Sequence, residues 1–480
     1  MSNVIRNPRN GCALHGALQT VQEINGVVPV VHANAGCGVI NYLANGGASS
    51  GTAKYSGFSV PGTAAQERHV IFGGASRLRE QIKNTIKVVN GDLYVILNSC
   101  ESAMVGDDVD AMTREIVEQG EPVVDTLIAG FNGGTHYGYE HVLTDILKSI
   151  DNVKKSESQK NSKLVNIFGI IPGKDPYWQG NLDEISRILE GVGLQANVIV
   201  GATGSYEDLS NAKNAALSIV FSRWGEQPAK LLEEKYGIPR VIRPSLPIGV
   251  EGIKELVASI KDVIQLDEDK LLSFIQREEI YEKNLLRRVR DEIIENGLSK
   301  KAVIVGDEEQ VIRIGGFLTE KLGVEINAAV LTDALKKDEE HETQNDELLK
   351  HISNNVYKSV DQKEINDIIR GSKPEVIFAS ALETRVASKL DKPLVEISYP
   401  IVDKLIIGKT TVGVRGLVTI IEDYFTVNRE FENAKRDRLV KELKNETGNN
   451  QWYEKEDSYS RVRSNKGLYI RKQEFSVSNG

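Results

Sequence analysis

Three side chains in this sequence could act as thiolates or hold a soft metal: Cys12, Cys37 and Cys100, the only cysteines among 480 residues. An odd number of cysteines is not a disulfide framework. Each is therefore either a small buried hydrophobe or a functional thiol. Their contexts are Gly11-Cys12-Ala13, Gly36-Cys37-Gly38, and Ser99-Cys100 with Gly106 shortly after. Glycine lets the backbone approach closely, and its N–H groups can donate to a polarizable anion. A thiolate bound to iron in an inorganic cluster needs both room and donors that set its potential. Cys12 and Cys37 stand 25 positions apart and Cys100 follows 63 later, which excludes a CxxC zinc knuckle and the compact ferredoxin run. Three thiolates do not close a four-ligand site. A non-cysteine group or a second subunit must supply the rest.

Nucleotide chemistry finds little support. Gly169-Ile-Ile-Pro-Gly173-Lys174 has three residues between its glycines where a phosphate loop needs four, and Asp175 stands where Ser or Thr is required. Pro172 also removes one backbone donor, so the segment reads as a turn at the end of a strand. No GxGxxG opens a helix after a strand. Gly133 and Gly134 read as a tight turn with a possible part in lining a site.

The elements that must position the cysteines follow an alternating pattern. Leu93 to Leu97 reads as a strand, then a cysteine-bearing loop and a helix around Asp110 to Glu118. Further strands are expected at Lys163 to Phe168, Ala196 to Val200, Arg240 to Ile242, Ala302 to Val305, Ile326 to Leu331, Val376 to Ala379 and Leu394 to Ile397, with helices between them, among them Asp183 to Gly191 and Glu308 to Leu322. That alternation implies right-handed βαβ units and parallel sheets. The fold class is therefore α/β: three doubly wound, Rossmann-like domains and a polar C-terminal extension. The boundaries expected are 1–153 for the domain carrying the cysteines, 154–295 for the second with a trailing long charged helix, 296–426 for the third, and 427–480 for the extension. Asp151 to Ser162 reads as a linker, and Lys336 to Asn366 as solvated helix and loop.

Composition narrows the function. Hydrophobic residues are 40% and charged residues 26%, as in an ordinary folded chain. The net charge of −9 argues against nucleic acid as a partner. No apolar run is long enough for a membrane helix, and Met1 to Arg9 lacks a signal-peptide core, so a cytoplasmic location is expected.

The motifs together resemble a known family. Asn7-Pro8, Cys12-x-x-x-Gly16-Ala17 and Val31-His32-x-x-x-Gly36-Cys37 are similar to the opening of the β-type subunit of nitrogenase component 1. Asn98-Ser99-Cys100 followed by Val105-Gly106-Asp107-Asp108 resembles that family's third cysteine motif, and Val70-Ile71-Phe72-Gly73-Gly74 its Val-Phe-Gly-Gly element. Asn211-Ala212-Lys213, Pro247-Ile248-Gly249, Tyr399-Pro400, Asp403 and Thr411-Val412-Gly413-Val414 extend the likeness over about residues 7 to 425. The stretch from Gly130 to Asp145 also has some likeness to the α-type subunit.

The resemblance implies that Cys12, Cys37 and Cys100 are iron ligands of a P-type iron–sulfur cluster shared with an α-type subunit in an α2β2 assembly. It implies that Phe72 lies where an ATP-dependent iron protein docks and that electrons pass from that partner through the cluster to the α-type chain. The basic helix after Phe72, with Arg77, Arg79 and Lys83, would border that surface. Gly130 falls at the family's extra serine ligand and departs from the pattern. No cysteine follows Cys100, and His341 and His351 lie in a charged stretch, so the family's active-site cofactor cannot be held here in the family's way. His32 and His141 read as packed or hydrogen-bonded, and His69 as surface. His15 and His136, near motif glycines, could be either structural or functional. Two rivals remain: a scaffold subunit for assembling a nitrogenase-type cofactor, and a non-redox α/β ligand-binding protein.

Overall fold

Runs of β-branched residues buried on both faces build three parallel sheets, as strands covered by helices on either side require. The computed structural model describes residues 9–40, 60–153, 159–295, 298–333 and 345–447. The first sheet contains β1 (Val27–His32), β2 (Leu93–Asn98) and β3 (Val123–Thr126), in the order β1-β2-β3. Val30 pairs with Ile96, and Val95 with Val124. Pro29 has no N–H for a ladder, and β1 accommodates it as an edge strand.

The second sheet contains β4 (Leu164–Phe168), β5 (Gln195–Asn197), β6 (Leu217–Val220) and β7 (Arg240–Ile242), ordered β5-β4-β6-β7. The third contains β8 (Lys301–Gly306), β9 (Glu325–Leu331), β10 (Val356–Lys358), β11 (Val376–Ala379) and β12 (Leu394–Glu396), ordered β10-β9-β8-β11-β12. Both reverse direction at a switch point, the doubly wound arrangement. The helix Thr135–Val153 joins the first two sheets into one apolar core: its Ile146 and Leu147 share that core with Leu18 and Phe168. The third sheet packs its own core around Val303, Val330, Ile369 and Ile377.

Several elements differ from the sequence reading. The helix expected at Asp183 begins at Trp178, because Gln179 and Asn181 are polar but face protein: Asn181 is buried and accepts from the Thr411 N–H. The strand expected at Ala196 to Val200 stops at Asn197. The helix Glu308 to Leu322 is interrupted by one π turn, Val311–Gly315. Residues 345–366 contribute an edge strand, β10, as well as helix, while 334–344 lie outside the described residues.

Met1–Phe425 forms one compact unit and Thr426–Gly480 a second. The described part of the second unit continues a helix, Gly413–Thr447, which strong helix formers such as Arg438, Lys441 and Glu442 sustain despite their polarity; 448–480 lies outside the described residues. Among the described residues no helix is long and apolar enough to cross a membrane.

Candidate metal centre

Each cysteine is set by a backbone device. Cys12 caps the N-terminus of the helix Ala13–Gln22 and pairs with Gly134 in an isolated antiparallel bridge. The Ala13 N–H donates to the Gly133 carbonyl at 2.9 Å. Cys37 lies in the helical stretch 35–40 that follows β1, where the Gly36 N–H donates to Asn34 Oδ1 at 2.8 Å. Cys100 opens the helix Cys100–Val105 directly after β2, and a reciprocal cap between Ser99 and Ser102 fixes that start. Cys37 and Cys100 thus follow adjacent parallel strands at their carboxyl ends, where α/β sheets present ligands. The bridge to Gly134 joins Cys12 to the loop that carries Gly130.

Gly130 measures the gap. A Cβ there would stand 3.0 Å from Cys12 Sγ and 3.0 Å from Cys100 Sγ, so the two sulfurs lie no further apart than those distances together. Burial raises the Cys37 thiol, and the neighbouring Cys12, Cys100 and Glu101 raise it further. Burial also opposes ionisation of Cys12, but hydrogen bonding to His15 and its charge outweigh that and hold the thiol below its ordinary range. His15 Nδ1 is 3.2 Å from Cys12 Sγ, and its Nε2 is 3.2 Å from the Cys37 carbonyl oxygen.

Among the described residues no three His, Cys, Asp or Glu side chains converge tightly enough for a single metal ion. Two sulfurs facing a gap that a side chain at 130 would fill, with the Cys37 thiol near enough to feel both, suit a polynuclear group instead. The site opens outward: Cys100 is exposed and the other two are half-buried. Val39, Ile40, Met104, Leu127 and Phe131, which flank the cysteine loops, are exposed apolar side chains.

Phe72 ends the short helix Glu67–Phe72 and is 85% exposed, with Val70 and Ile71 exposed beside it. That helix packs on the one begun by Cys100. One carboxylate organises the region. Asp107 Oδ1 accepts from the Gly74 N–H at 2.6 Å, and Oδ2 accepts from His32 Nε2 at 2.9 Å. Burial pulls the His32 pKa down, and Asp107 partly restores it. The basic residues after the turn are neutralised locally: Arg77 pairs with Glu80, and Arg79 and Lys83 with Glu115.

The sequence reading missed the residues that pin Cys12. Arg9 is buried, forms an ion pair with Glu383, and donates to Ser380 Oγ and the Tyr399 carbonyl. Asn10 donates to the Thr332 carbonyl and accepts from Lys174 Nζ at 3.3 Å. Their one sequence signal was position: both immediately precede the first cysteine motif. Lys174 is buried over the Tyr399 ring, and burial pulls its pKa down to about 8. Gly169 turns the chain at φ +92°, as a strand-end turn requires.

Of the other histidines, His136 is buried against Trp224 and donates to Asp307 Oδ2 at 2.7 Å. His141 is half-buried, stacked on Tyr137 and 3.4 Å from Asp145. His69, expected at the surface, is half-buried because its Nδ1 accepts from the Gln66 N–H. His351 is exposed, and His341 lies outside the described residues.

This architecture agrees with the comparisons. The model of the family described as nitrogenase component 1 type oxidoreductase matches residues 12–427, and the chain belongs to that family. It is thus part of a nitrogenase-like oxidoreductase complex, in a family that binds iron–sulfur clusters. It is 24% identical over 434 residues to the B subunit of the light-independent protochlorophyllide reductase of Prosthecochloris aestuarii, covering 87% of this chain and 78% of that one. It is 22% identical over 473 residues to the nitrogenase molybdenum-iron protein beta chain of Methanothermobacter thermautotrophicus, covering 89% and 95%. It is 26% identical over 311 residues to the nitrogenase iron-molybdenum cofactor biosynthesis protein NifE of Clostridium pasteurianum, covering 64% and 65%. The solved structure "Nitrogenase Cp1 at pH 6.5" superposes with a TM-score of 0.72 at 19% identity, over 90% of this chain and 94% of that one, a likeness of fold.

Proposed function

We propose that this chain is the β-type subunit of a nitrogenase-like component 1, holding its share of an interfacial iron–sulfur cluster through Cys12, Cys37 and Cys100. When bound, such a cluster would take up and release single electrons. The observation that carries the reading is the gap at Gly130, faced by Cys12 and Cys100 and coupled to Cys37. The exposed apolar side chains around it supply a surface for an α-type subunit, in an α2β2 assembly, which would exclude water and contribute the remaining ligands. Phe72 is the docking residue for an ATP-dependent iron protein. Its helix packs on the helix that Cys100 begins, a short path from surface to cluster.

A second reading, a scaffold for cofactor assembly, draws on the likeness to NifE and on Gly130, which has no hydroxyl to offer an oxidised cluster. The test is anaerobic co-expression with the α-type partner, followed by iron analysis and reduction by the iron protein with ATP. Steady turnover of a reducible substrate supports the electron-relay reading. A cluster that is released intact to an acceptor protein, without turnover, supports the scaffold. A colourless, iron-free complex defeats both and leaves a non-redox ligand-binding protein.

A further inference from the structure

We propose that His15 is itself an iron ligand, adding to the set that the three cysteines leave short; this rests on reading those cysteines as cluster ligands. The Cys37 carbonyl oxygen, 3.2 Å from His15 Nε2, can only accept. Nε2 therefore carries a hydrogen, and loss of the other ring proton leaves Nδ1 with a free lone pair. That lone pair stands 3.2 Å from Cys12 Sγ.

In the metal-free chain one hydrogen is shared across this contact, and binding of iron to the sulfur would release it. A sulfur bound to iron has no hydrogen to donate, and the same contact would then set two lone pairs against each other unless a cation lay between them. A tetrahedral metal with a sulfur ligand at ~2.3 Å and a nitrogen ligand at ~2.0 Å holds those two atoms roughly 3.5 Å apart. The Cys12–His15 pair already has nearly that edge. Donation of the other ring N–H to a backbone carbonyl is the support that metal-ligating histidines use to fix tautomer and ring orientation.

Local structure makes the pair. Cys12 is the N-cap and His15 the third residue of the helix, so their side chains share a face. Gly130 leaves the adjoining space open. The shared hydrogen would leave as a proton when iron binds both atoms, and the imidazole would add none of the negative charge of a thiolate. A cluster so ligated is reduced at a higher potential than one bound by thiolates alone.

The test uses the complex of this chain with its α-type partner, purified anaerobically with 15N-histidine and brought to a paramagnetic oxidation state. Electron–nuclear double resonance should show a strongly coupled, directly bonded nitrogen that disappears in His15→Gln. His15→Cys should keep the iron content and move the midpoint potential to more negative values. A full complement of iron with no bonded nitrogen in the wild type, as a doubly protonated ring donating to sulfur would give, overturns the ligand role and leaves the cysteine reading standing. A bonded nitrogen that survives in His15→Gln overturns it equally. A wild-type complex without iron overturns both. The wild-type spectrum shows whether any nitrogen is bonded even if a variant fails to fold.

Discussion

Truncating Phe72 separates a docking residue from a structural one. A fully buried Phe contributes roughly 1.5–3 kcal/mol through its apolar surface, and its loss from a packed core costs about 3–5 kcal/mol. Phe72 is 85% exposed, so Phe72→Ala should forfeit at most about 0.5 kcal/mol and shift the melting temperature by on the order of 1–2 °C. An aromatic anchor at the centre of an interface is different: its truncation costs about 2 kcal/mol or more, roughly a thirtyfold loss of affinity. The assay is single-turnover reduction of the complex at sub-saturating iron protein, with iron content and thermal unfolding measured on the same preparation. The expected pattern is full iron, a nearly unchanged melt and electron transfer slowed at least tenfold. Unchanged transfer kinetics would refute the docking role, and a large fall in melting temperature would refute the premise that the side chain is free.

Cys37→Ala should strip most of the iron from the complex, since the neighbouring thiols, Cys12 and Cys100, are already committed as ligands in this reading; full iron with an unaltered spectrum would contradict the ligand assignment. Arg9→Ala leaves Glu383 buried without its cation and should cost about 3–5 kcal/mol in denaturant unfolding; a loss below about 1 kcal/mol would show that the pin is dispensable. Lys174 titrates at about 8 in the folded chain against 10.5 ordinarily, so between those pH values only the unfolded chain holds the proton. Stability of the wild type relative to Lys174→Met should therefore rise with pH across that window and stay flat below it. Parallel curves would show that burial does not depress the lysine.

Much of this was legible because it is written locally. The cysteines with their glycines and the β-branched runs are signals within a few residues. The failed phosphate loop could also be judged from spacing and Pro172. What stayed hidden is what folding brings together across the chain. Asp107 meets His32 and Gly74 across two elements, and Arg9 meets Glu383 from opposite ends of the unit; neither pairing has a sequence period. The helix start at Trp178 was obscured because Asn181 is polar yet serves a buried partner, so burial and polarity, usually opposed, coincide there. His15 stood near a glycine motif in the sequence, but its contact with the Cys37 backbone needed the fold.

The ion pair between Arg9 and Glu383 closes a span of 374 residues. A ribosome working at about 5–20 residues per second reaches Glu383 roughly 20–75 s after Arg9 has been made. Until then Arg9 lacks its carboxylate partner. Cys12 itself can pair with Gly134 early, but the segment that leads to it is among the last to be fixed in place. A cluster site built on Cys12 would therefore gain this last support only after most of the unit that contains it has been made.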